Sequence, residues 1–203
     1  ELLEPSVAGR AAAPKADIDR AAAMLLAATS PIVFAGGGVH LSGAHDVLAA
    51  VAEYLQAGVV QSAEGKGAVS DASDLSLGAA MWPQSVLKKH LESADVILVV
   101  GSRFALAAPR PEQQVIQLDV DPDEIGRNHK TTFGLVGDAR ATLAELLERL
   151  RAGAPPRASR KAEREALRAR VAATMTQEPN TSILRSLRAG TPEDAIVIAG
   201  MTQ

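Results

Sequence analysis

The chain has 203 residues, 47% hydrophobic, 22% charged and 2% aromatic, with a net charge of −3 and no cysteine. Disulfides and thiolate metal sites are excluded, and a charge balance this close to neutral gives no electrostatic footprint for nucleic acid or an anionic membrane surface. So few aromatics also argue against a base-stacking platform, and the core has to be built from Ala, Val, Leu and Ile. A chain of this length buries roughly 70% of the surface it exposes when unfolded, so a real core is expected. With no secretory signal and no apolar run long enough to span a bilayer, the expectation is a cytoplasmic protein without a membrane partner.

Residues 1–15, with Pro5, Gly9 and Pro14, read as a linker, and a start at Glu1 reads as cut from something longer. From Asp17 a helix is predicted, with Ile18, Ala21, Leu25 and Ala28 at helical spacing, until Pro31 ends it. The stretch PIVFAGGGVH, Pro31 to His40, then reads as strand, tight turn and helix. Ile32 to Ala35 form the strand and Gly36, Gly37 and Gly38 the turn. Ser42 is predicted to cap a helix with Val47, Leu48, Val51 and Leu55 on one face, closed by Gly58. Such a junction presents backbone N–H groups and a positive helix end to an anion.

A short strand is predicted at Val59 to Gln61, followed by a long Gly-, Ser- and Asp-rich loop from Ala63 to Pro83. Pro83 opens a helix carrying Val86, Leu87 and Leu91. Val96 to Val100 is apolar at every position, as a strand covered on both faces of a parallel sheet must be. A further strand at Val115 to Leu118 leads to an acidic loop, and a short strand ends at Gly137. Asp138 caps a helix whose Leu143, Leu146, Leu147 and Leu150 share a face. This alternation predicts an α/β domain over residues 16–152, a doubly wound, Rossmann-like and mostly parallel sheet with helices on both faces.

Composition changes after Gly153. Residues 151–170 carry seven basic side chains against Glu163 and Glu165. Without aromatics or a binding motif, 153–178 reads as a solvated basic linker helix rather than a nucleic-acid patch. Residues 179–203 read as the interrupted start of another domain, with a helix at Thr181 to Leu187 and a strand at Ala195 to Ala199.

The chemistry-bearing residues leave alternatives open. Gly36 and Gly38 fill two places of a dinucleotide fingerprint, but Leu41 stands at the third, and the glycines equally serve a sharp turn. Glu64 falls near where a ribose-binding acid would, or is simply solvated. Lys66, between Gly65 and Gly67, is a phosphate-reaching charge or an ordinary turn lysine. Arg103 follows a strand and a glycine at the sheet edge where ligands of open α/β sheets collect. Asp119 reads as a ribose or adenine acceptor, and Asp121 and Asp123 as turn and cap residues, since the glycine and terminal glutamate of a calcium loop are missing. His40, His45, His90 and His129 fall in different elements without metal-ligand spacing, so no metal site is expected. No nucleophile elbow and no complete catalytic set is present.

Four motifs in order then resemble the central domain of thiamine-diphosphate-dependent enzymes of the acetolactate synthase type. They are PIVFAGGGV at Pro31 to Val39, EGKGAVSDASDLSLG at Glu64 to Gly78, ADVILVVGSRF at Ala94 to Phe104, and VIQLDVDPDEIGRNH with GLVGDA at Val115 to Ala139. The resemblance implies a three-domain, homo-oligomeric parent whose other domains are this chain's partners and hold thiamine diphosphate and magnesium. The parent would decarboxylate a 2-oxo acid and add the product to a second carbonyl. This segment would be inactive alone, with no catalytic residue of its own. In such domains FAD, or in some relatives ADP, is bound, and Gly36, Gly37, Gly38, Lys66, Arg103, Asp119 and Asp138 are the positions implied for it. LSLG continues into AAMWPQ, and Arg103-Phe104 into four mostly alanine positions, so the adenine end is better matched than the isoalloxazine end. A free-standing NAD- or FAD-binding module and a purely structural assembly domain are the alternative readings.

Overall fold

The computed structural model describes residues 9–79, 84–105, 107–129, 132–174 and 179–197. The chain runs through α1 (Lys15–Ala27), β1 (Ile32–Ala35), α2 (Gly38–Ser42), α3 (His45–Leu55), β2 (Gly58–Gln61), β3 (Ser76–Gly78) and α4 (Val86–Leu91). It continues through β4 (Val96–Val100), β5 (Gln114–Asp119), a 3-10 turn (Pro122–Glu124), β6 (Thr132–Val136), α5 (Ala139–Gly153), α6 (Lys161–Ala173) and α7 (Asn180–Ala189). Six strands form one sheet in the order β3-β2-β1-β4-β5-β6, every pairing parallel. The winding starts at β1, moves outward through β2 and β3, and returns to place β4 on the other side of β1. That is the doubly wound α/β arrangement predicted from the alternation.

Strand parity sorts the core into two layers. Val33, Ala35, Leu98, Val100, Ile116 and Leu118 point to the layer of α1, α3 and α5. Ile32, Phe34, Ile97, Val99 and Val115 point to the layer of α4 and α6. Every residue of β1, β2 and β4 is buried. Buried glutamines then satisfy the irregular backbone at the strand ends. The Gln61 amide donates to Ser76 Oγ at 2.9 Å and accepts the Gly67 N–H at 2.8 Å. Gln113 donates to the carbonyls of Leu91 and Ala94 at 2.8 and 2.7 Å and accepts from Arg110 N–H at 2.8 Å.

Several local expectations are corrected. The first helix after β1 opens at Gly38 itself, and Ser42 lies at its end instead of capping the next one. Gly43, at φ 65°, breaks the helix, and Ser42 Oγ accepts the Arg140 N–H at 2.7 Å. Gly58 does not close α3. Gln56 supplies the left-handed cap at φ 51°, and Gly58 begins β2, where a Cβ would lie 2.4 Å from Leu77 Cδ1. The predicted loop from Ala63 contains the short strand β3, too brief to show a period. Pro83 lies outside the described residues, and α4 is capped by Ser85 Oγ, which accepts from Lys88 N–H at 3.0 Å.

The basic helix α6 is not solvated all round. Leu167 and Val171 are buried in the α4 layer, and the Arg164 guanidinium, 8% exposed, grips the Asp74 carboxylate at 2.6 Å. Arg168 donates to the carbonyls of Ser73 and Asp71 at 2.5 and 2.7 Å. These arginines fasten the loop before β3, a use that charge counting along a sequence does not reveal. Of the expected last strand, the described residues 195–197 are not extended in a sheet, and the rest lies outside the described residues.

Three of the shifted groups carry the expected pH dependence of stability. The Arg164 hydrogen bond outweighs burial and holds the Asp74 carboxyl below its usual range. At Asp95 burial pushes the carboxyl up, but hydrogen bonds from Thr29, Ser30 and Val96 outweigh it and leave it lowered. Burial, followed by the charges of Arg160 and Arg170, lowers His90. A lowered carboxylate stabilises fully above its unfolded value of about 4 and loses that contribution as pH falls through the folded one. A lowered histidine likewise stabilises fully above about 6.5 and loses its contribution on acidification. The urea midpoint is therefore expected to fall below about pH 6.5 and again below about pH 4. His90→Gln should remove the first decline and Asp95→Asn should weaken the second. A midpoint that rises on acidification would overturn this account.

Candidate functional site

All strands are parallel, so every strand delivers its C-terminal residues to one edge of the sheet. Gly36–Gly38 follow β1, Glu64–Lys66 follow β2, Gly101–Arg103 follow β4, Asp119 ends β5, and Asp138 follows β6. The structure thus brings the loops of all seven predicted positions to a common edge. Strand order reverses between β1 and β4, and there the glycine turn meets the loop after β4.

That meeting is tight. Gly36 N–H donates to the Val100 carbonyl at 2.9 Å, and Gly38 N–H to the Gly101 carbonyl at 3.0 Å. A Cβ on Gly36 would lie 2.3 Å from the Gly101 carbonyl oxygen, and one on Gly38 would lie 2.6 Å from Gly101 Cα. Gly101 itself sits at φ 57°. From the other side, a Cβ on Gly65 would lie 2.2 Å from the Ala35 carbonyl oxygen. Three loops therefore approach backbone to backbone, and only residues without side chains fit between them.

The charged candidates divide by whether they are already engaged. Lys66 is exposed and pairs with the Asp71 carboxylate, whose other oxygen accepts from Ser76 Oγ at 2.9 Å. Burial raises the Asp71 carboxyl, but the Lys66 and Ser76 hydrogen bonds and the Lys66 charge outweigh it, so it lies below its usual range. Asp138 caps α5, its Oδ1 accepting the Ala141 N–H at 3.0 Å, while its Oδ2 lies 3.5 Å from the Arg10 guanidinium. The Ala11 carbonyl accepts the Asp138 N–H at 2.8 Å, so the segment before α1 covers this end of α5. Asp119 Oδ1 accepts the Asp121 N–H at 3.1 Å and is half-buried. Asp121 caps the 3-10 turn, as expected of it. Glu64 is exposed beside Gly37 and accepts from Ser62 Oγ at 3.2 Å.

Arg103 is different. It is exposed, and among the described residues its guanidinium makes no hydrogen bond or ion pair. Its backbone is held firmly: Asn128 Nδ2 donates to the Arg103 carbonyl at 2.7 Å, and Gln117 Nε2 to the Ser102 carbonyl at 3.2 Å. The buried Phe104 ring next to it meets Phe34 edge-on at 4.9 Å.

Two features of this edge escape sequence reasoning. His40 Nδ1 lies 2.8 Å from His45 Nε2, although the sequence places the two histidines in unrelated elements. The left-handed Gly43 folds α2 back against the start of α3 and makes the pair. Gln117 and Asn128 lie inside the motif VIQLDVDPDEIGRNH, but the motif does not disclose their bonds to the backbone of the loop after β4. Among the described residues, no three His, Asp or Glu side chains converge as a metal site would require.

An open parallel sheet ordered in this way, with glycines where the strand order reverses, defines a Rossmann-like α/β domain. Comparison with known proteins narrows the class. The family described as "Thiamine pyrophosphate enzyme, central domain" matches residues 18–146, and the chain belongs to it. The acetolactate synthase isozyme 3 large subunit of Escherichia coli is 36% identical over 143 residues, covering 67% of this chain and 25% of that protein. The acetolactate synthase of Mycobacterium avium is 34% identical over 142 residues, covering 66% of this chain and 23% of that protein. Among solved structures, benzoylformate decarboxylase from Polynucleobacter necessarius superposes with a TM-score of 0.65 at 20% identity, over 76% of this chain and 30% of that one. The matched region thus spans about a quarter of the acetolactate synthases it resembles.

The glycine contacts carry a direct test. Gly38→Ala is expected to destabilise the fold by about 2–3 kcal/mol through overpacking against Gly101. Gly9→Ala, with nothing within 4 Å, is the control and should change stability by less than about 0.5 kcal/mol. Equal urea midpoints for the two variants would show that the loops do not need this approach.

Proposed function

We propose that this chain is the central, non-catalytic domain of an acetolactate synthase-like enzyme, and that the C-terminal edge of its sheet holds the phosphate and ribose of an adenine nucleotide. The observation that carries the nucleotide reading is Arg103, a guanidinium unengaged among the described residues at the strand-order reversal of a doubly wound sheet. A guanidinium in that position suits a phosphate through paired N–H donors. Arg103 would meet the anion and Asp119 a ribose hydroxyl, with Gly37 free of a side chain to obstruct them. Gly36 and Gly38 contribute shape, since their N–H groups are already bonded. Lys66 and Asp138 would act only by exchanging a present partner for the ligand.

Thiamine diphosphate and magnesium are proposed for the other domains of the parent enzyme, a reading supported by the match of this chain to the central domain of thiamine pyrophosphate enzymes. Decarboxylation of a 2-oxo acid and carboligation are likewise proposed for the whole enzyme, a cytoplasmic homo-oligomer. The chain alone is expected to show no pyruvate decarboxylation with both cofactors added.

One observation favours a second reading, a scaffold without ligand: the N–H groups of Gly36 and Gly38, which would greet a phosphate, donate to β4 and its loop instead. Calorimetric titration with ADP, FAD and NAD separates the readings. ADP and FAD are expected to bind, and ADP at 100 times its Kd should stabilise the fold by about 2.7 kcal/mol. Arg103→Ala should weaken ADP about tenfold or more, the loss of a charge-assisted hydrogen bond. If no nucleotide raises the Tm, the scaffold reading stands. Binding specific to NAD would instead favour a free-standing dinucleotide module.

A further inference from the structure

The loop that carries Arg103 holds a costly backbone conformation. Phe104, a non-glycine residue, sits at φ 52° in the left-handed region, and Ala108 at φ 41°. Such residues persist only where their surroundings over-determine them, and they concentrate at functional sites. At Ala108 the Lys88 ammonium of α4 donates to its carbonyl at 3.2 Å, and around Phe104 the fastening side chains come mainly from a different loop. Asn128 Nδ2 donates to the Arg103 carbonyl at 2.7 Å, and His129 Nε2 donates to the Phe104 carbonyl at 2.8 Å. The His129 ring also meets the Phe104 ring edge-on at 5.3 Å. Gln117 binds both loops from beneath, donating to the carbonyls of Ser102 and Glu124 and accepting the Gly126 N–H at 3.0 Å.

We propose that Asn128 is a positioning residue: its bond to the Arg103 carbonyl pins the strained turn so that the Arg103 guanidinium stands at the sheet edge, ready for a phosphate-bearing ligand. The division of labour is visible in the geometry. Every backbone carbonyl from Ser102 to Phe104 is held by a side chain of β5 or the loop after it, while the one cationic group of that stretch has no partner among the described residues. Without the pin, the backbone at Arg103 can relax from the left-handed turn that follows it, and the guanidinium loses its fixed origin. Asn128 is itself exposed, so its replacement removes a hydrogen bond without opening the core.

The inference rests on the nucleotide reading, and the test keeps the two apart. Trypsin cleaves after arginine, so the rate of cutting at the Arg103–Phe104 bond, identified by mass spectrometry, reports the order of this turn without any ligand. Asn128→Ala is expected to raise that rate at least about fivefold while leaving the Tm within about 2 °C, because local opening is separable from global unfolding. Asn128→Asp, equal in size but without the N–H donor, should behave like the alanine variant. In calorimetry with ADP, Asn128→Ala should weaken binding about fivefold in the wild-type background and not at all beside Arg103→Ala, since residues acting through one another are non-additive. An unchanged cleavage rate, rescue by aspartate, or equal weakening in both backgrounds overturns the positioning role while leaving the nucleotide site standing. A wild-type chain that binds no nucleotide overturns both, whatever the cleavage shows.

Discussion

The closest constraint in this fold is the backbone contact between the turn after β1 and the loop after β4. Gly36 and Gly38 meet Gly101 at distances no Cβ could occupy, and their two N–H groups are spent on β4 and its loop. The contact locks together two strands at the point where the sheet changes direction. It also decides what that point can do. A glycine turn at such a place is usually read as a phosphate cradle, but here part of its hydrogen-bonding capacity is consumed in holding the loops together. On the same β4 loop the Arg103 guanidinium makes no hydrogen bond or ion pair among the described residues, which is why the proposed anion site is centred on a side chain.

Around that contact the irregular segments are ordered by side chains reaching to the backbone of other loops. Gln61 organises the turn after β2, Gln113 the approach to β5, and Gln117 the loops after β4 and β5. Each amide offers both a donor and an acceptor, so one buried residue satisfies groups that no ladder reaches. Arg164 and Arg168 do the same for the loop before β3 from α6, which is why a helix that looks like a charged linker has one face embedded. The chain after Gly153 is therefore continuous in packing with the sheet as far as Val171.

Membership in the thiamine pyrophosphate enzyme central-domain family fits this design. The sheet edge lacks converging metal ligands among the described residues, yet it collects glycines, an arginine and aspartates from five different strand ends. The chain's sequence similarity to acetolactate synthases covers about a quarter of their length.

The sequence by itself determined the doubly wound sheet, because continuous apolar strands such as Val96–Val100 and helical faces such as Leu143–Leu150 carry their period in the chain. It also determined the Asp138 cap and the glycine turn, which depend on neighbours a few residues away. Tertiary structure alone decided which candidates are free. Lys66 and Asp138 were spent on Asp71 and Arg10, the His40–His45 pair was made by the left-handed Gly43, and Arg103 was left unengaged on a turn pinned by Asn128. The physical reason is range. Periodicity and capping are local, whereas the engagement of a charged group depends on loops brought together from distant strands, and nothing in the order of residues records those meetings.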